Sequence, residues 1–176
     1  MDFIRDLLTT TNSSPNPEDR LSNKVSRVLE FLGFKVTDLD AQIGDDIRKE
    51  EFWVQDGDFL AITKVIDAKE TRPLYQEYSD LQARMTTVFR HRERVPDSES
   101  VSGLLIVNYD LANHSFRPPR HFTGAAQEIA KAAVEKRIGL LSTVELYRIA
   151  IAVKDGRLSA TDGRALIKAI ITLPLP

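Results

Sequence analysis

The chain contains no cysteine, and this absence excludes disulfide bonds, cysteine-ligated zinc and thiol nucleophiles. Its three histidines, His91, His114 and His121, are not spaced as the ligands of a metal site. No apolar run approaches the roughly 20 residues that a helix needs to cross a bilayer. The first segment, MDFIRDLLTTT, is too short and too acidic for a signal peptide. These absences favour a cytoplasmic protein that does not enter a membrane.

A strong charge of one sign is also lacking, because the formal net charge is −2 over 176 residues. No general positive field therefore attracts nucleic acid, and any nucleic-acid surface must be a local patch. Hydrophobic residues make up 42% of the chain and charged residues 28%, which is typical of a globular protein. We expect a single domain over residues 1–176, with an N-terminal helix and polar loop at 1–19 and a core at 20–171.

The pattern of apolar residues predicts helices and strands in alternation. The apolar run at Gly103–Val107 predicts a central strand that is covered on both faces. Ser142 and Glu145 lie three apart ahead of an apolar run, as in a capping box, and predict a helix over Thr143–Val153. The other expected elements are a helix from Leu21 to Leu32, a strand at 34–37, hairpin arms at 47–55 and 58–68, helices after Pro73 and at 124–137, a strand at 138–141 and a last helix from Ser159. This order predicts an α/β fold with a central mixed β-sheet flanked by helices.

The segment from Asp45 to Lys69, DDIRKEEFWVQDGDFLAITKVIDAK, carries acidic and basic residues on both arms of the predicted hairpin. With Asp56 and Gly57 as the central turn residues, the expected register pairs Glu51 with Ile62, Lys49 with Lys64, and Asp46 with Asp67. Side chains alternate between the two faces of a strand, so Asp46 and Asp67 share one face. The other face is the more apolar, and we expect it to lie under a helix. It carries Glu51, Trp53, Ile62, Lys64 and Ile66.

At this point the chain resembles a known superfamily. The helix ending in LEFLGFKV, the hairpin EEFWVQDGDFLAITKV, the strand GLLIVNY, the loop RPPRHFT and the segment RIGLLSTVELY follow one another as in the restriction-endonuclease-like superfamily, the PD-(D/E)XK nucleases. The resemblance covers roughly Leu21 to Ile171. It implies a restriction-endonuclease-like sheet, and a setting in defence or DNA processing.

Members of that superfamily carry an acid on the first hairpin arm and an acid-x-lysine triplet on the second. The two carboxylates hold Mg²⁺ against the scissile phosphate, and the lysine activates water or stabilises charge. Matched strand to strand, the first acid corresponds to Glu51 and the triplet to Lys64, Val65 and Ile66. Lys64 then replaces the acid, Ile66 replaces the lysine, and Glu51 is left alone. The resemblance therefore implies a catalytically inactive domain, in which a Lys64–Glu51 ion pair replaces the metal and which acts as a nucleic-acid-binding or assembly module.

A second acid-x-lysine triplet, Asp67-Ala68-Lys69, follows three residues later. With Asp46 across the hairpin it would give an active Mg²⁺-dependent DNA or RNA endonuclease, in which Asp46 and Asp67 bind the metal and Lys69 is the catalytic lysine. Asp67 lies on the face opposite to Lys64, and only a β-bulge near Ile66 would reverse that parity. The alternative interpretation is that these are ordinary solvated charges at a strand end.

Two basic clusters are candidates for contacts with the phosphates of DNA or RNA. One is formed by Arg90, Arg92 and Arg94, and the other by Arg117 and Arg120. The first cluster alternatively complements the dipole at a helix C-terminus. A third hypothesis is a protein-interaction or dimerisation module without a nucleic-acid role, in a homodimer or a larger assembly. The small residues of Ala125–Ala133 permit close helix packing, which favours burial inside the monomer and offers self-association as the alternative.

Overall fold

The computed structural model describes residues 3–8, 20–38, 51–67, 74–90, 101–108 and 137–172. The helices in this part of the chain are α1 (Phe3–Asp6), α2 (Leu21–Phe31), α3 (Leu74–Arg90), α4 (Thr143–Lys154) and α5 (Ala160–Thr172). The strands are β1 (Lys35–Asp38), β2 (Glu51–Asp56), β3 (Phe59–Asp67), β4 (Val101–Asn108) and β5 (Ile138–Ser142). The helix expected at 124–137 falls on residues outside the described ranges.

The five strands form one mixed sheet in the order β1-β2-β3-β4-β5. Strands β1, β2 and β3 are antiparallel, whereas β3, β4 and β5 run parallel. Helix α3 connects β3 to its parallel neighbour β4, as a crossover between parallel strands requires. The predicted α/β fold with a central mixed sheet flanked by helices is confirmed.

Helices pack on both faces of this sheet. One face, with Val65, Leu104 and Leu141, forms a core with α2, α4 and α5. The opposite face, with Ile62 and Leu105, packs against α3. All eight residues of β4 are buried, so the prediction of a central strand covered on both faces is correct. The prediction that a helix covers the hairpin face of Glu51 and Lys64 is also confirmed, since that helix is α3.

The hairpin turn lies one residue later than the sequence predicts. Asp56 pairs with Phe59, so the central turn residues are Gly57 and Asp58. Gly57 has a φ of +59°, whereas Asp58 is not among the residues with positive φ. A two-residue turn with glycine first needs positive φ only there, whereas an Asp-Gly turn of type I′ would need it at both positions.

This shift corrects the predicted pairing of the two arms. Glu51 faces Lys64 and Trp53 faces Ile62, so the expected pairs Glu51–Ile62 and Lys49–Lys64 are wrong. Moving the turn by one residue changes each partner by two positions, which leaves the alternation of faces intact. Glu51, Trp53, Ile62 and Lys64 therefore share a face, as predicted. The expected pair Asp46–Asp67 is not tested, because Asp46 lies outside the described residues.

Helix α4 begins where the capping box predicts. The Ser142 hydroxyl accepts a hydrogen bond from the Glu145 backbone N–H at 3.1 Å, and the Ser142 N–H donates to the Glu145 carboxylate at 3.0 Å. Two backbone donors at the helix start are satisfied in this way. Across the described ranges, no helix combines the length and the apolar character that spanning a bilayer requires.

Candidate functional site

The corrected hairpin register brings Glu51 and Lys64 together on the face beneath α3. The two residues are direct partners across β2 and β3, and the Lys64 Nζ lies 3.8 Å from Glu51 Oε1. Their side chains are only 2% and 3% exposed. The ion pair predicted between them is therefore present, and it is buried.

Helix α3 adds two carboxylates to this pair. The Lys64 ammonium contacts the carboxylate of Glu77, whose side chain is 1% exposed. Asp80, which follows three residues later on the same side of the helix, has its Oδ2 4.0 Å from Lys64 Nζ. Asp80 is 43% exposed, so the carboxylates extend from the buried lysine towards solvent.

Arg84 completes the group from the next turn of α3. Its Nε lies 3.6 Å from Glu51 Oε2, and its side chain is 34% exposed. We call Lys64, Glu51, Glu77, Asp80 and Arg84 the Lys64 cluster. Three carboxylates and two cations give the cluster a formal charge of −1.

The cluster depends on its central ammonium. Buried ions are tolerated only when they are paired, because their lost hydration must be compensated by nearby opposite charge. Glu77 has Lys64 as its ion-pair partner, and Glu51 is shared between Lys64 and Arg84. Carboxylates converging from a strand and a helix are donors that Mg²⁺ and Ca²⁺ prefer, but here the centre of the group is a covalently attached cation.

Only part of this cluster is predicted by the sequence. The expectation that Glu51 remains alone beside Lys64 is wrong, because α3 contributes Glu77 and Asp80. A signal for them exists in YQEYSDLQARM, where three charged residues recur at helical spacing beside Leu81, which is buried. A buried strand lysine requires such partners, and the helix that follows β3 supplies them.

The second triplet is only partly described. Asp67 is the last residue of β3 and pairs with Asn108 at the end of β4. The register of these strands is continuous from Leu60 to Asp67, so no bulge lies near Ile66 on this side of β3. By strand alternation, position 67 therefore belongs to the face opposite to Lys64. The side chain of Asp67, and the residues Asp46 and Lys69, lie outside what the structure describes.

The same edge of the sheet carries further polar residues. Asn108 is buried, and its side-chain oxygen accepts a hydrogen bond from the Thr143 hydroxyl at 3.1 Å. Thr143 opens α4 directly after β5. The carboxyl ends of the three parallel strands thus bring polar groups to one edge.

The predicted basic clusters are not described. Arg90 ends α3, but its side chain lies outside the described part of the chain, as do the residues Arg92, Arg94, Arg117 and Arg120. Their predicted contacts with phosphate therefore stay predictions.

A second charged group, at the hairpin tip, joins distant elements. Asp56 Oδ2 accepts a hydrogen bond from Arg164 Nε at 3.1 Å and forms an ion pair with Lys168. Arg164 Nη1 also donates to the carbonyl of Leu32 at 2.9 Å. The pKa of Asp56 lies below its ordinary value of 3.8, chiefly because Lys168 hydrogen-bonds to the carboxylate and against the opposing effect of partial burial. This group ties α5 to the hairpin and to the end of α2.

In comparison with known proteins, no family model, no curated protein and no solved structure matches this chain.

Proposed function

We propose that the chain is a restriction-endonuclease-like domain that has lost metal-dependent cleavage and acts as a nucleic-acid-binding or assembly module. The observation that carries this proposal is the buried ammonium of Lys64 among carboxylates, at the position that matches the metal-binding acid of the superfamily. The setting that the resemblance suggests is a larger bacterial or archaeal system for defence or DNA processing.

The order of elements supports the resemblance. Helix α2, the antiparallel strands β1 to β3, helix α3 and the parallel strand β4 follow one another in the order on which the likeness to the superfamily rests. Fold alone does not fix function, so we infer the loss of cleavage from particular side chains.

Two substitutions disable the matched positions. Lys64 offers a single fixed positive charge and no oxygen ligand where a carboxylate would bind Mg²⁺. Ile66, at the position of the catalytic lysine, is 5% exposed and belongs to the apolar core with Trp53 and Leu105. A side chain in that core can neither activate water nor stabilise a developing charge.

A second candidate is an active Mg²⁺-dependent endonuclease that uses Asp46, Asp67 and Lys69. The observation that favours it is the location of Asp67 beside Asn108, at the carboxyl ends of parallel strands, where α/β proteins commonly bind their ligands. In this candidate Asp46 and Asp67 hold the metal and Lys69 assists the attacking water.

Cleavage of plasmid and of single-stranded DNA and RNA, with Mg²⁺ and with Mn²⁺, separates the two candidates. The wild type is compared with Asp67→Ala, which changes the second triplet but not the Lys64 cluster. We expect no cleavage by either protein. Cleavage by the wild type that is lost in Asp67→Ala would establish the second candidate and refute the proposal.

The salt dependence of binding then separates a nucleic-acid module from an assembly module. Phosphate contacts release counterions, so the logarithm of the binding constant falls by about 0.9 for each contacted phosphate per tenfold increase in salt. We expect the binding constant for DNA or RNA to fall steeply with salt concentration. This dependence should become weaker when Arg90, Arg92 and Arg94 are replaced by alanine. Absence of salt-sensitive binding, together with a concentration-dependent mass in light scattering, would favour the protein-interaction or dimerisation module.

A further inference from the structure

A cavity of about 480 Å³ lies between α1 and α2, and it shares no lining residue with the Lys64 cluster. Its volume is within the range of about 300–1,000 Å³ that is typical of pockets for small ligands. The lining combines two aromatic rings with two cations and two carboxylates, from Phe3, Phe31, Lys24, Arg27, Asp6 and Glu30.

One wall of the cavity is a side of α2. Residues three and four apart on a helix lie on the same side, so Lys24, Arg27 and Phe31 follow one another along it. Val25 and Val28, on the adjacent side, are buried in the core and fix the rotation of the helix. The sequence of α2 thus separates an apolar side from a side that carries charge and one aromatic ring.

The opposite wall is α1. Phe3 and Asp6 lie three apart on this short helix, whereas Ile4 and Leu7 are buried in the core. Asp6 Oδ2 lies 3.7 Å from Lys24 Nζ, and this ion pair joins the two helices. Both walls are therefore held in place by packing in the core as well as by charge.

The ring of Phe31 is the apolar surface that a ligand in the cavity would cover. It is 38% exposed, and Phe31 is one of two large hydrophobic residues exposed in the described part of the chain. Phe3 meets it in an edge contact, with ring centres 5.9 Å apart and planes at 71°. An edge contact leaves ring faces uncovered by the other ring, and a flat heterocycle can stack on such a face.

The polar part of the lining is electrically balanced. Its two cations and two carboxylates give a formal charge of zero, whereas a pocket for phosphate would carry an excess of cations. Arg27 and Glu30 are exposed, and they bring a guanidinium and a carboxylate to the cavity. A guanidinium donates to the ring nitrogens and oxygens of a nucleobase, and a carboxylate accepts from its amino group. The lining therefore suits a neutral ring that has donors and acceptors on its edge.

We propose that this cavity binds one unstacked base of single-stranded DNA or RNA, stacked on Phe31 with its edge towards Arg27 and Glu30. This inference rests on the proposed function as a nucleic-acid-binding module, and it makes the single strand the preferred ligand class. A base in a duplex is stacked and paired, so it reaches such a cavity only after it has left the stack.

The test compares three probes of about ten nucleotides by fluorescence anisotropy: a single strand, the duplex of the same sequence, and a strand without bases. We expect the wild type to bind the single strand about tenfold or more tightly than the other two. Phe31→Ala should weaken single-strand binding by about fivefold or more and leave duplex binding unchanged. Its salt dependence should stay that of the wild type, because no phosphate contact is lost.

Two further variants make the result specific. Leu166→Ala removes the other exposed large hydrophobic residue, which lies on α5, and should leave single-strand binding unchanged. Arg27→Gln combined with Glu30→Gln keeps both rings and the net charge, and should weaken single-strand binding by about fivefold or more. This double variant also tests the proposal if Phe31→Ala does not fold.

Equal affinity of the wild type and both cavity variants for the single strand would overturn the proposal. Equal affinity of the wild type for the strands with and without bases would do the same, as would an absence of binding. Salt-sensitive binding that is independent of Phe31 would leave the proposed function standing, with the contacts at Arg90, Arg92 and Arg94 as its source. Cleavage by the wild type would instead refute the proposed function, so the two failures are separate results.

Discussion

Lys64 holds a positive charge at a depth where lysine is rare, with its side chain 2% exposed beneath α3. Such a residue is tolerated only together with its carboxylate partners, and Glu77 and Glu51 are equally buried. Breaking a buried ion pair by removing one partner is far more destabilising than the pair is stabilising, because an uncompensated charge is left behind. Substitutions of buried members of the cluster should therefore lower the free energy of unfolding far more than substitutions of exposed members.

Glu77→Gln tests this difference. The variant keeps the shape of the side chain but removes the charge that contacts Lys64, and we expect it to lower the free energy of unfolding by about 3–5 kcal/mol. Asp80→Asn is the matched control on the same helix, because Asp80 is 43% exposed and lies 4.0 Å from Lys64 Nζ. Asp80→Asn should lower the free energy of unfolding by less than about 1 kcal/mol.

Urea denaturation at neutral pH measures both variants. Equal losses of stability in Glu77→Gln and Asp80→Asn would show that the buried contact of Lys64 with Glu77 matters no more than its exposed contact with Asp80. That result would contradict a buried cluster around Lys64. A neutral effect of Glu77→Gln would have the same meaning.

Among the elements, α5 is attached to the rest of the fold by charge as well as by apolar packing. Asp56 at the end of β2 binds both Arg164 and Lys168, and Lys168 also lies 5.6 Å from the ring centre of Phe59. Ile167 and Ile171 pack in the core from the same helix. The charged contacts hold α5 across the hairpin tip.

The attachment should depend on pH through Asp56. Its folded pKa lies below the ordinary value of 3.8, so its contribution is complete above that value and is lost as the pH falls through the lower folded pKa. We expect Asp56→Asn to lower stability by about 1 kcal/mol at pH 7, since the pair is partly exposed. The difference from the wild type should shrink as the pH is lowered below about 4.

Denaturation of both proteins across this pH range provides the measurement. Asp155→Asn is a suitable control, because Asp155 pairs with Arg157 on the surface and should change stability little. A stability difference for Asp56→Asn that stays constant with pH would rule out the carboxylate as its source.

At the scale of the whole molecule, the sequence predicts the parts of the fold that depend on local patterns. The apolar run of β4 and the capping box of Ser142 and Glu145 are read from adjacent residues, and both are correct. The hairpin register depends on which residues stand at the centre of the turn: the sequence predicts Asp56-Gly57, whereas the structure has Gly57-Asp58, with a positive φ at Gly57.

The candidate site is predictable to a lesser degree. Glu51 and Lys64 share a face because of strand alternation, which the sequence shows directly. Glu77 and Asp80 join them only because α3 packs against β3 and β4 and turns that side towards the sheet. The burial of a charge therefore shows that it has partners, but the sequence does not show which distant residues they are.

The central claim is that the ammonium of Lys64 occupies the place of a divalent cation in the wild-type protein. Titration of the metal-free wild type with Mn²⁺, followed by electron paramagnetic resonance, tests it most directly, with Asp67→Ala titrated in parallel. The account predicts that neither protein takes up a tightly bound ion. A single tight Mn²⁺ ion in the wild type would contradict it, and the loss of that ion in Asp67→Ala would assign the metal to the end of β3 instead.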